Sequence, residues 1–141
     1  TNIIYRSLWE RKFMRYCDLN ESVHQWQSEE IIIPYKSPID NKIHRYFPDF
    51  FIKYIDREGK RRSVVIEVKP KRQLKMPEKN PKKRTKSWAH DVHNWVINQA
   101  KWKAAEEYCA DRKYEFRVMR VTEMHQQIRR RGLHDSATRR A

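Results

Sequence analysis

Long apolar runs, cysteine and acidic charge are scarce in this chain, and each shortage excludes something. No apolar run is long enough to span a bilayer, and no signal-peptide core opens the chain, so no membrane partner is expected. Cys17 and Cys109 are the two cysteines among 141 residues. They lie far apart, without a CxxC partner. This excludes a disulfide scaffold or a cysteine-zinc framework and leaves two reduced thiols. No internal repeat is present, which excludes a solenoid. The length fits one domain with a real core.

Acidic residues number 18 against 32 Lys and Arg, for a net charge of +14. The surplus is concentrated. Residues 70–86 hold eight basic side chains against Glu78, and residues 129–141 hold five against Asp135. These two polar segments carry +11 of the +14. Solubility alone would need only a mixed surface. Such arms suit the tracking of phosphates.

Along the chain, Ser7-Leu8-Trp9-Glu10 fits a capping box, and Trp9, Phe13, Tyr16 and Cys17 predict a helix to about Leu19. Val23 to Pro38 reads as extended, with a proline suited to a strand edge or end. Arg45 to Ile55 reads as one strand, Asp56-Arg57-Glu58-Gly59-Lys60 as a hairpin turn, and Arg61 to Lys69 as the returning strand. In that strand Val64, Ile66 and Val68 fill one face, while Val65, Glu67 and Lys69 share the other. Residues 70–86, with Pro70, Pro77 and Pro81, predict a long, mobile loop. Trp88 to Asp111 predicts the longest helix, with Trp88, Val92, Trp95, Trp102 and Cys109 along a stripe. Glu115 to Val121 reads as a strand, followed by a short helix from Thr122 to about Arg130. The expectation is an α/β fold, a mixed β-sheet flanked by helices, formed by residues 1–128, with 129–141 a flexible basic tail.

The chemistry concentrates where polar groups interrupt dry strands. Pro48-Asp49 stands at the mouth of one hydrophobic run, and Glu67-Val68-Lys69 ends the next. Burying such groups is costly unless they are paired or bind metal. Asp49 and Glu67 are symmetric about residue 58, where the hairpin turns, so the two carboxylates are expected opposite each other. Mg²⁺ favours one or two protein carboxylates plus waters and phosphate oxygens. Lys69, on the face of Glu67, could orient a water or stabilise developing charge. Together these groups predict metal-assisted hydrolysis of phosphodiesters.

At these residues the chain resembles the PD-(D/E)xK nuclease superfamily. Ser7-x-x-Glu10, the Trp26 strand, Tyr46-x-Pro-Asp-Phe and Glu-Val-Lys-Pro together resemble its transposon-end endonuclease branch. The resemblance covers roughly residues 7 to 123. It implies a restriction-endonuclease-like core and Mg²⁺-dependent DNA cleavage, with Mn²⁺ as an alternative ion. It implies Asp49, Glu67 and the Val68 carbonyl as metal ligands, Lys69 as a catalytic group, and Glu10 as a further site carboxylate. The Trp9-Glu10-Arg11-Lys12-Phe13 opening and the Tyr46-Phe47-Pro48-Asp49-Phe50 block are also similar to small phage nucleases that act at head completion. That likeness implies DNA trimming in the host cytoplasm during assembly, with phage head, portal or neck proteins as partners. The basic segment would place Lys71, Arg72, Lys75, Lys82, Lys83, Arg84 and Lys86 on DNA.

Each feature also has a plainer explanation. Glu10 is accounted for by the capping box alone. Gln99 interrupts the tryptophan stripe and could aim at the site or at DNA, although a structural amide explains it, and Lys103 stands where a Gln-x-x-x-Tyr motif would need Tyr. His44 could touch phosphate or sit solvated at a strand start. His90-x-x-His93 suggests a metal pair but lacks a third ligand and a Gly-rich hairpin. Tryptophans are more often core than stacking platforms, though exposed ones near the site could stack on frayed bases. The competing functional class is a non-catalytic basic DNA-binding adaptor of a phage neck or portal.

Overall fold

The structure, a computed structural model, describes residues 8–120 and 122–123. The elements run α1 (Leu8–Leu19), β1 (Val23–Ser28), β2 (Ile33–Lys36), β3 (Ile43–Tyr46), β4 (Phe50–Ile55), β5 (Arg61–Lys69), a 3-10 turn (Lys71–Leu74), α2 (Lys86–Arg112) and β6 (Glu115–Arg120). Ser7, the expected cap of α1, lies outside the described residues. The expected short helix after Thr122 and the basic tail fall almost wholly outside them too.

Four strands form the main sheet in the order β1-β4-β5-β6. β1, β4 and β5 are antiparallel neighbours, and β6 joins β5 in parallel. The sheet is therefore mixed, as expected, with α2 as the crossover a parallel pair requires. The β4–β5 turn closes on Asp56. Its Oδ1 accepts from the Glu58 and Lys60 amides, each at 2.9 Å. Gly59 takes a φ of 81°, which a side chain would disfavour.

Alternation in the strands sets the layers. Phe50, Ile52, Val64, Ile66 and Val68 face α1 and pack with Phe13, Met14 and Cys17. The Phe13 and Phe50 rings lie 4.5 Å apart. Phe51 and Val65 point the other way and meet Cys109 of α2. Helices thus cover both faces.

Two expected single segments are each divided. Val23 to Pro38 breaks after β1, where Glu29 adopts a φ of 56°. Arg45 to Ile55 breaks at Phe47-Pro48-Asp49. Pro48 has no N–H to give a ladder, and the chain passes there from one sheet to the next. β2 and β3 form a separate two-stranded antiparallel sheet. Ile33, Tyr35 and Tyr46 of that hairpin pack on Ala105 of α2.

Helix α2 begins earlier than Trp88 suggests, because Thr85 caps it: its Oγ1 accepts from the Trp88 amide at 3.1 Å. It ends at Lys113, whose φ of 60° is the left-handed cap conformation. Segment 70–86 is largely a loop up to the start of α2, as its prolines predict. It carries a 3-10 turn and is tied to α2 by Trp88 Nε1, which donates to the Glu78 carbonyl at 2.7 Å, and by an Arg72–Asp91 ion pair at 3.7 Å.

Phe50 is 2 % exposed and joins β4 to α1. Phe50→Ala is expected to cost about 3–5 kcal/mol, read as a lower midpoint in urea unfolding.

Candidate active site

The β4–β5 ladder pairs Phe50 with Ile66, so the next residue on each side is Asp49 and Glu67. This is the symmetry about residue 58 that the sequence predicts. Asp49 Oδ2 accepts from the Val68 amide at 2.8 Å, which fixes the carboxylate against the end of β5. Lys69 Nζ stands 3.6 Å from Glu67 Oε1. Asp49, Glu67 and Lys69 therefore converge at the end of the main sheet.

Glu67 is 5 % exposed. Burial raises its pKa to about 7, and the neighbouring Asp49 charge adds to the rise. The Tyr46 hydroxyl donates to Glu67 Oε2 and partly offsets that rise, as does Lys69. Burial and the charge of Glu67 push the Tyr46 hydroxyl far above its ordinary value, so it remains a donor. A buried carboxylate held beside a half-buried one is strained unless a proton or cation lies between them.

Known proteins share this stretch of chain. The family model for the N-terminal part of TnsA-like endonucleases matches residues 20–121. The chain belongs to the TnsA-like endonucleases. It is also 35% identical over 120 residues to the head completion nuclease of Enterobacteria phage T4, covering 83% of this chain and 77% of that protein. No solved structure matches it. The matched span of this TnsA-like chain holds Asp49, Glu67 and Lys69 but begins after Glu10.

The oxygen donors suit a hard divalent ion such as Mg²⁺. Asp49 and Glu67 could hold such an ion, because a cation there would relieve the buried Glu67 and its half-buried neighbour. Zinc would ask for three or four protein ligands. Among the described residues no group of three His, Cys, Asp or Glu is gathered to hold a metal. Glu10 lies half-buried in the first turn of α1.

Other candidates stand apart from the carboxylates. His44 is exposed on β3, and its Nε2 pairs with Asp40 at 2.7 Å. Gln99 is exposed on α2, and the amide that this helix buries is Asn98, 5 % exposed. Lys71, Arg72, Lys75, Lys82, Lys83, Arg84 and Lys86 are all exposed, on the segment that leaves β5 just beyond Lys69.

Sequence reasoning misses two contributors. Tyr46 belongs to the Tyr-x-Pro-Asp block, which is a signal, but its role emerges only when β3 folds over Glu67. Lys101 gives no signal, since it reads as one more helix lysine. In the fold it is half-buried, with Nζ 5.5 Å from the Tyr46 ring centroid and 5.8 Å from that of Tyr35. Burial, and then repulsion from Lys69, lowers its pKa. It is a second cation held close to the carboxylates.

Stability should report Glu67 directly. Its folded pKa of about 7 lies above the ordinary 4.5, so the folded state binds more protons between those values. Its contribution is full below pH 4.5 and is lost as pH rises through 7. The swing is on the order of 3 kcal/mol. In EDTA, Glu67→Gln should remove this loss, so the variant should exceed the wild type in urea midpoint at pH 8 and lose that advantage near pH 4.5. A wild-type midpoint that tracks the variant across this range would refute the assignment.

Proposed function

We propose that this TnsA-like chain is a metal-dependent deoxyribonuclease that hydrolyses DNA phosphodiester bonds, acting on packaged viral DNA during phage head completion and head–tail joining. The observation that carries the chemistry is the meeting of Asp49, Glu67 and Lys69 at one strand end. The similarity to a phage head completion nuclease supports the setting. Host cytoplasm during assembly follows from that setting, with head, portal or neck proteins as candidate partners. A non-catalytic adaptor would have no use for a carboxylate buried beside a second carboxylate, an arrangement that costs stability.

Each group then has a role. Asp49, Glu67 and the Val68 carbonyl would hold Mg²⁺ or Mn²⁺, with Glu10 the candidate for a supporting position. The bound ion supplies charge neutralisation at a nonbridging phosphate oxygen and lowers the pKa of a water. Val68 N–H keeps one Asp49 oxygen fixed, and Tyr46 does the same for Glu67. Lys69 positions the attacking water and stabilises developing charge. Lys101 adds positive potential behind the two carboxylates. The exposed basic side chains of 70–86 grip the DNA backbone, a contact that carries no base information.

Asp49→Ala, Glu67→Ala and Lys69→Ala are each expected to abolish Mg²⁺-dependent plasmid nicking while leaving DNA binding largely intact. Full nicking by any of the three would remove that residue from the mechanism. Replacing Lys71, Lys75, Lys82 and Lys83 by Ala should flatten the dependence of log affinity on log salt, by roughly 0.9 for each phosphate no longer neutralised. An unchanged slope would exclude the segment as a DNA grip.

A further inference from the structure

Between the segment that follows β5 and helix α2 lies a cavity of about 500 Å³, lined by none of Asp49, Glu67 and Lys69. One wall is the segment that follows β5, contributing Arg72, Lys75 and Met76; the other is the first half of α2, contributing Asn94, Trp95 and Asn98. The volume falls in the range of small-ligand pockets. The Arg72–Asp91 ion pair at 3.7 Å and the Trp88–Glu78 hydrogen bond at 2.7 Å join the two walls. The cavity is thus part of the fold.

Its lining has a definite chemistry. Asn98 is 5 % exposed and lines the cavity with its amide side chain. Asn94 brings a second amide, so the cavity offers donors and acceptors together. Trp95 is half-buried and belongs to none of the hydrophobic clusters of the described residues. The exposed Arg72 and Lys75 bring positive charge to the rim, against the acids Glu78 and Asp91. An aromatic wall, two amides and cationic side chains match an unpaired nucleotide: a base with a π-face and a hydrogen-bonding edge, carried on a phosphate.

The position is equally specific. Arg72 follows Lys69 by three residues, so the cavity opens where the catalytic strand ends. On α2, Asn98 and Trp95 precede Lys101 by three and six residues, about 4.5 and 9 Å along the axis. A strand whose phosphate reaches the carboxylates would have a neighbouring base within reach of Trp95.

We propose that this cavity holds an unstacked base of single-stranded DNA beside the cleaved phosphate, so that the protein favours DNA with an overhang, flap or frayed end. The proposal rests on the nuclease reading for its substrate, but its test does not require cleavage. In EDTA, the full chain is titrated with a blunt duplex and with the same duplex carrying a short single-stranded overhang that contains 2-aminopurine. The wild type should bind the overhang form more tightly and change the 2-aminopurine emission. Trp95→Ala and Asn94→Ala should each reduce that preference by about fivefold or more, the scale of one base–aromatic stack, and should abolish the emission change. Trp95→Phe, which keeps a π-face, should retain both. Equal wild-type affinity for the two DNAs, or a preference that survives both alanine variants, would overturn the proposal. An overhang preference that disappears in the variants, in a wild type that cuts nothing with Mg²⁺, would keep the cavity's role and reject the nuclease instead.

Discussion

A carboxylate buried beside a second, half-buried one is the constraint around which this molecule is arranged. Glu67 sits in a strand buried on both faces, where a charge is expensive. Asp49 stands beside it and raises the cost. The fold meets this with directed groups: an amide from the end of β5 on Asp49, a phenol from a second sheet on Glu67, and lysines from β5 and α2 around both. Removing the β2–β3 hairpin would take away Tyr46, and removing α2 would take away Lys101. Each of these layers is therefore tied to the site by at least one side chain.

Helix α2 has two different halves. Ala105 and Cys109 in its C-terminal half enter the core. Its N-terminal half meets the basic segment 70–86, while Ile97 packs with the β2–β3 hairpin. The tryptophans recur every seven residues, and residues at that spacing lie within about 20° of one another around the helix. What changes along this face is the neighbour: Trp102 packs with the core, and Trp95 lines the cavity. One helix thus packs on β5 and lines the cavity.

The central pair is legible in the sequence because a hairpin is a local object. A turn with glycine, alternating apolar residues and a fixed sum of paired positions are enough to oppose Asp49 and Glu67. Both faces of β5 are legible for the same reason. The division of Arg45–Ile55 is harder to see. Pro48 marks it, but a proline at a strand edge and a proline between two sheets look alike in one dimension. The stripe points to Gln99 as a structural amide, whereas the helix buries Asn98. One residue is 100° of helix, and only the packing partner fixes which side faces inward.

The sequence by itself determined the α/β order of elements, the opposed carboxylates with their lysine, and the placing of basic charge directly after β5. These follow from contacts between near neighbours in the chain, where periodicity and turn chemistry suffice. Tertiary structure alone decided that Tyr46 would bond Glu67, that Lys101 would stand behind the carboxylates, and that Trp95, Asn94 and Asn98 would line a cavity against the residues after β5. Those contacts join elements far apart in sequence, and they depend on how layers rotate and pack, which no local pattern encodes.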